Sequence, residues 1–219
     1  MLADLHVHTH YSPDAISKVD TVLSVSADHG IDIIAVTDHQ TTQAWKELAD
    51  ASRHYPVAIV FGQEMKIFRN DAVVGEVLCL FLDRPVTGRT LPELVHQVSG
   101  QGGLISIAHP FSERRHEFKA FDQIEDWSHI AIEVSNGRTW TPHDDQLAQS
   151  LSRQLDTMIT AGSDAHTPFE IGSVYLEFDG RTTDDLKQAI RHHQVVIGGK
   201  PSPIFFSLLS GASRLGLEI

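Results

Sequence analysis

Short apolar runs that end in an acid or an imidazole recur along this chain, and they constrain its fold more than any other feature. Ala3-Asp4-Leu5 leads to His6-Val7-His8, Ile31 to Val36 runs into Thr37-Asp38-His39, and Val57 to Phe61 runs into Gly62-Gln63-Glu64. Further on, Leu104 to Ala108 reaches His109, Ile130-Ala131-Ile132 reaches Glu133, and Met158-Ile159-Thr160 leads to Asp164 and His166. Apolar runs this short read as strands. Residues two apart in a strand share a face, so His6 and His8 should project together. If the strands are parallel, all of these groups converge at their carboxyl ends, where barrel and open-sheet α/β enzymes place their chemistry.

Helix-like segments separate the runs: Val19 to His29, Thr42 to Arg53, Leu91 to Gln101, Pro142 to Leu155 and Thr183 to His193. Thr90 offers an N-cap hydroxyl ahead of Leu91-Pro92-Glu93, and Gly30 fits a left-handed position after His29. The alternation predicts β/α units, a mainly parallel sheet and one domain over residues 1–219. Glu64 to Leu82 is the exception, because two β-like runs flank Arg69-Asn70-Asp71 and predict a hairpin. Residues 195–219 read as a closing C-terminal segment. Its Gly198-Gly199-Lys200 lacks the spacing of a phosphate-binding loop and predicts a plain turn.

The composition, 41% hydrophobic and 21% charged, belongs to a globular chain, and no apolar run approaches the length of a membrane span. The first residues enter a strand at once and leave no room for a signal peptide, so a soluble cytoplasmic protein is expected. Cys79, the single cysteine, lies in the apolar run Val77 to Phe81 and reads as core. A net charge of -12 argues against a basic footprint for duplex nucleic acid, but not against small nucleotides.

Imidazoles and carboxylates gathered at one mouth would be costly to bury without compensation, and together they suit zinc, manganese or iron. A centre of several divalent ions is therefore expected. Asp4-Leu5-His6-Val7-His8-Thr9 with Ser12 and Asp14, Thr37-Asp38-His39, Gly62-Gln63-Glu64, Ala108-His109-Pro110 and Ser163-Asp164-Ala165-His166 also resemble the PHP family, the polymerase and histidinol phosphatase superfamily. The likeness spans nearly the whole chain. It implies a distorted (β/α)7, TIM-like barrel with a two- or three-metal phosphoesterase centre. By the same resemblance, His6, His8, Glu64 and Asp164 would hold one ion, and Glu64 and His109 a second. Asp14, His39 and His166 would hold a third. Many relatives carry a histidine where this chain reads Gly75-Glu76-Val77, so Glu76 either replaces that ligand or is a surface hairpin residue.

Arg114 and Arg115 follow His109-Pro110, and Arg138 follows the next strand, placing three guanidinium groups where they could grip a phosphate. Phe111, Trp140 and Phe169 could line the rest of the pocket, while Glu133 either orients a ligand imidazole or caps a turn. The expected reaction is hydrolysis of a small phosphorylated metabolite or nucleotide by a metal-bound hydroxide, with no catalytic side chain assigned beyond it. The alternatives are a metal-dependent amide hydrolase and a non-catalytic, metal-stabilised regulatory module.

Overall fold

The structure is a computed structural model that describes residues 1–213. The expected closing segment thus runs beyond it, its residues 214–219 lying outside the described residues. In chain order the elements are β1 (Leu2–Val7), α1 (Val19–Asp28), β2 (Ile33–Val36), α2 (Ala44–Ala51), β3 (Ala58–Phe61), β4 (Gln63–Arg69), β5 (Ala72–Leu80), α3 (Leu91–Ser99) and β6 (Leu104–Ile107). Then follow β7 (Ile130–Asn136), α4 (Pro142–Leu155), β8 (Met158–Gly162), β9 (Val174–Phe178), α5 (Thr183–Arg191), β10 (Val195–Gly199) and α6 (Ile204–Ser213).

Local chemistry explains the helix bounds. The Glu93 carboxylate accepts the Thr90 backbone N–H at 3.0 Å and starts α3, and the Thr182 hydroxyl accepts the Asp185 N–H at 3.1 Å to start α5. Gly30, at φ 70°, ends the first helix in a conformation that costs a Cβ-bearing residue more. Gly198 and Gly199, expected in a plain turn, instead pair with β9 at the end of an edge strand, β10, and the apolar segment after them forms a helix, α6.

The strands form two five-stranded sheets, in the orders β10-β9-β1-β2-β3 and β4-β5-β6-β7-β8. The expected closed, mainly parallel barrel is not what the ladders draw. β1–β2, β2–β3, β6–β7 and β7–β8 pair in parallel, whereas β1–β9, β9–β10, β4–β5 and β5–β6 are antiparallel. A hairpin causes one of these reversals: Asn70 (φ 49°) and Asp71 (φ 61°) make the left-handed two-residue turn that sends β5 back along β4. Between the sheets lie two seams, each spanned by an isolated bridge, Val7 to Ala165 and His39 to Glu64.

One apolar core nevertheless serves both sheets: Leu5, Ile33, Leu78, Leu104, Ala131 and Leu176 pack together between them, with Leu186 and Ile190 of α5 closing one end. α1 and α2 cover the outside of the first sheet, and α3 and α4 that of the second. β6 stops at Ile107 opposite Val77, so the outer half of the β4–β5 hairpin stands beyond the strand ends. The loop after β6 meets it there, Ala108 N donating to Glu76 O at 3.1 Å and Lys119 N to Val74 O at 2.6 Å. That overhang becomes a wall of the site.

Candidate metal centre

β1 delivers the first two ligand candidates. Its register against β2 shifts between Asp4 and Val7, and the buried His6 within that irregularity and His8 just past it bring their Nε2 atoms to 3.1 Å. Close packing makes room for this. At Gly162 a Cβ would come within 2.5 Å of the His6 backbone nitrogen, so the end of β8 must carry glycine to lie against β1.

Two carboxylates face the imidazole pair. His6 Nε2 lies 3.6 Å from Glu64 Oε1 and 3.4 Å from Asp164 Oδ1, while His8 Nε2 lies 3.4 Å from Glu64 Oε2 and 3.5 Å from Asp164 Oδ1. Glu64 is shared. Its Oε2 also stands 2.8 Å from His39 Nδ1, and its Oε1 stands 3.2 Å from His109 Nε2, which is 3.7 Å from Glu76 Oε2. On the other flank, Asp14 Oδ1 lies 3.3 Å from His39 Nε2 and 3.5 Å from His166 Nε2. All nine ligand candidates are thus brought to one place. Glu76, open to reading as a hairpin surface residue, is buried on the inner side of the overhang.

Three groups have donor atoms lying mutually within 4.8 Å: His6, His8 and Asp164; His8, His39 and His166; and His39, Glu64 and Glu76. This spacing fits cations, and the hydrogen bonds behind the rings fit them too. Glu133 Oε1 takes up His6 Nδ1 at 2.9 Å, and the Asp164 carbonyl takes up His166 Nδ1 at 2.8 Å. In a neutral ring, a proton held on Nδ1 in this way would leave the Nε2 lone pair for a metal. Glu133 therefore does orient an imidazole, and its other oxygen accepts the His109 N–H at 2.7 Å and Asn136 Nδ2 at 3.0 Å. His109 (φ 27°) and Asp164 (φ 53°) both hold left-handed backbone, a conformation that non-glycine residues adopt uncommonly, in turns and at functional sites.

Burial and the facing charges push these groups in opposite directions. Burial pushes the Glu64 and Asp164 carboxyls up, but facing histidines outweigh it and hold both well below the usual range. Burial opposes protonation of His39, yet Glu64 and Asp14 raise it to about 10. Burial and then the Glu64 charge push Glu76 up to about 7. His8 is lowered, by burial and by His166 and His39. Cations entering here would displace protons.

Above the cluster opens a cavity of about 770 Å³. Arg114, Arg115 and Arg138 all line it, but in different states. Arg115 Nη1 contacts the Asp164 carboxylate and donates to Asn136 Oδ1 at 3.1 Å. The exposed Arg114 lies over the Trp140 ring, 3.6 Å from its centroid. Arg138 is committed elsewhere: it pairs with the buried Glu170 at 3.3 Å and donates to Ser207 and Ser210 of α6. Phe111 and Trp140 border the cavity, whereas Phe169 is exposed and stacks on Phe206. Lys66 also lines it, and sequence reasoning passed it over. Its position two residues past Glu64 in β4 was the available signal.

Fold and cluster together define an α/β protein with a buried histidine–carboxylate centre suited to divalent ions. Residues 142–195 match the family model described as PHP-associated. An uncharacterised protein of Methanocaldococcus jannaschii is 32% identical over 123 residues, covering 51% of this chain and 69% of that protein. The probable phosphatase YcdX of Escherichia coli is 25% identical over 204 residues, covering 77% of this chain and 80% of that protein. Among solved structures, a two-domain Bacteroides vulgatus protein containing a predicted PHP-like metal-dependent phosphoesterase superposes with a TM-score of 0.75 at 15% identity. The match covers 91% of this chain and 65% of that one. An amidohydrolase from Chromobacterium violaceum with bound sulfate and no metal superposes at 0.64 with 15% identity, covering 89% and 97%. The chain belongs to the PHP superfamily.

Proposed function

We propose that this chain is a metal-dependent phosphoesterase that hydrolyses a small phosphorylated metabolite or nucleotide in the cytoplasm, on a centre built where the strand ends of its two sheets meet. One observation carries the reading: three overlapping donor groups form the floor of a cavity whose walls present Lys66, Arg114 and Arg115. His6, His8, Glu64 and Asp164 would hold one ion, with Glu64 shared towards a second site at His109 and Glu76. Asp14, His39 and His166 would hold a third. Two or three manganese, zinc or iron ions suit this donor set. Bound there, they supply Lewis acidity and an activated water.

The chain's own residues do the rest. Glu133 fixes the His6 ring. Arg114 and Arg115 bind the phosphate oxygens that face the solvent side, and their planar forks match that geometry. Trp140 and Phe111 give the remainder of the substrate an apolar wall. The net charge of -12 supports a small substrate over a long duplex.

A second reading, amide hydrolysis, is favoured by the amidohydrolase among the structural neighbours. Stripping the protein, reloading it with manganese and assaying phosphoester and amide panels decides between them. Turnover of a phosphomonoester is expected. Amide turnover alone would overturn the proposal in favour of the second reading, and full metal occupancy with no turnover in favour of a regulatory module.

A further inference from the structure

His8 has no carboxylate behind its ring, in contrast to His6 with Glu133. Its Nδ1 lies instead 3.0 Å from the Ser12 hydroxyl, which lies 2.6 Å from Asp38 Oδ1 and also receives the His39 backbone N–H at 3.1 Å. A hydroxyl offers one proton and two acceptor positions. The His39 N–H can only donate, so it takes one acceptor position. Asp38 is itself surrounded by donors: Thr9 N at 2.7 Å on Oδ1, and Thr9 Oγ1 at 2.7 Å on Oδ2. An ionised carboxylate in that cradle accepts the Ser12 proton. The second acceptor position of Ser12 is then left for a proton on His8 Nδ1. Ser12, Asp38 and His8 are all buried, so water does not compete for these bonds.

We propose that Asp38 and Ser12 act as a positioning relay that locks the His8 imidazole as its Nδ1–H tautomer, pointing the Nε2 lone pair into the metal centre. The same hydroxyl, by holding the His39 N–H, ties the strand end after β2 to the one after β1. Two neighbouring ligands are thus set by different devices: a carboxylate for His6, and a hydroxyl directed by a carboxylate for His8. Ser12→Ala removes the acceptor for both the ring and the His39 N–H. Asp38→Asn keeps a carbonyl oxygen for the Thr9 N–H and the Ser12 proton but loses the charge that directs the relay.

The inference rests on His8 being a metal ligand, and its test separates the two. Nitrogen-15 long-range correlation spectra of the metal-free protein read the His8 tautomer directly, and competition with a chelating dye reads manganese affinity. The wild type should show a protonated Nδ1 and a pyridine-like Nε2. Ser12→Ala should lose that single tautomer and bind manganese about 10- to 100-fold more weakly. Asp38→Asn should bind it more weakly than the wild type by a smaller factor, and it decides the matter if Ser12→Ala does not fold. A wild-type His8 protonated on Nε2, or manganese affinity unchanged in a folded variant, would overturn the relay. A correct tautomer in a wild-type protein that binds no manganese would leave the relay standing and remove the metal reading instead.

Discussion

Glu64 and Arg114 face the same cavity from opposite situations. Glu64 is 2% exposed and stands within 3.6 Å of four histidines drawn from three separate strand ends and from β1 itself. Arg114 is exposed and is held by the face of a single indole. The floor of the site is thus over-determined, each donor placed by several contacts, whereas the rim is placed by one or two. Chemistry that needs donors within a few tenths of an ångström belongs on the floor, and selection among substrates can vary on the rim at little cost to the fold.

The contrast breaks first at Asp164. Asp164→Ala should release the ion held with His6 and His8 and lower turnover by about three orders of magnitude, equivalent to several kcal/mol of lost charge stabilisation. Elemental analysis of the folded variant checks this. Metal content equal to the wild type would return Asp164 to the rim class.

Arg138 is a rim residue built like a floor residue. Breaking its buried pair with Glu170, and with it the tie to α6, should cost roughly 3–5 kcal/mol of stability in Arg138→Ala. The readout is thermal unfolding, with a lowered Tm expected. An unchanged Tm with a raised KM would make Arg138 a substrate group instead.

Arg115→Ala and Arg114→Ala should each lower kcat/KM, by about 10-fold or more for a lost charged hydrogen bond, with bound metal intact. Lysine at either position should rescue only in part, because it lacks the planar fork. Wild-type efficiency in both alanine variants rules out the phosphate clamp.

The smallest effect is expected at Glu76, which borders floor and rim. Glu76→Gln should weaken or empty one ion site and spare the one at His6, His8 and Asp164. Unchanged ion stoichiometry and affinity would leave His109 and Glu64 as the second site's only supported ligands.

The floor was legible because its signals are local. Each apolar run predicts a strand, and the group at its end is placed by the strand, so His6, His8, His39, Glu64, His109, Asp164 and His166 could be read before any contact was known. The helices were legible for a similar reason, since Thr90 with Glu93 and Gly30 mark ends within one turn. What escaped depends on distant pairings. Nothing near Arg138 signals that Glu170 and α6 will occupy its guanidinium, and nothing near Glu76 signals that the hairpin will overhang the mouth and bury it. The β4–β5 hairpin was read from its turn residues, but the split into two sheets was hidden, because strand direction across β5–β6 and β9–β1 follows from longer connections rather than from runs of apolar residues. Ser12 and Asp38 were visible within the motifs, but their direction of proton donation needed the geometry.

The two seams give the cluster a mechanical meaning. One bridge joins Ala165, three residues past β8, to the end of β1, the other joins His39 to Glu64, and the ligand candidates straddle both joints. The two halves already share an apolar core, and ions seated across these joints would add a second fastening at the strand ends. Loading them would therefore also be a step of assembly, its free energy added to folding by mass action. A molecule without such ions would then be looser along those two lines and more open to proteases.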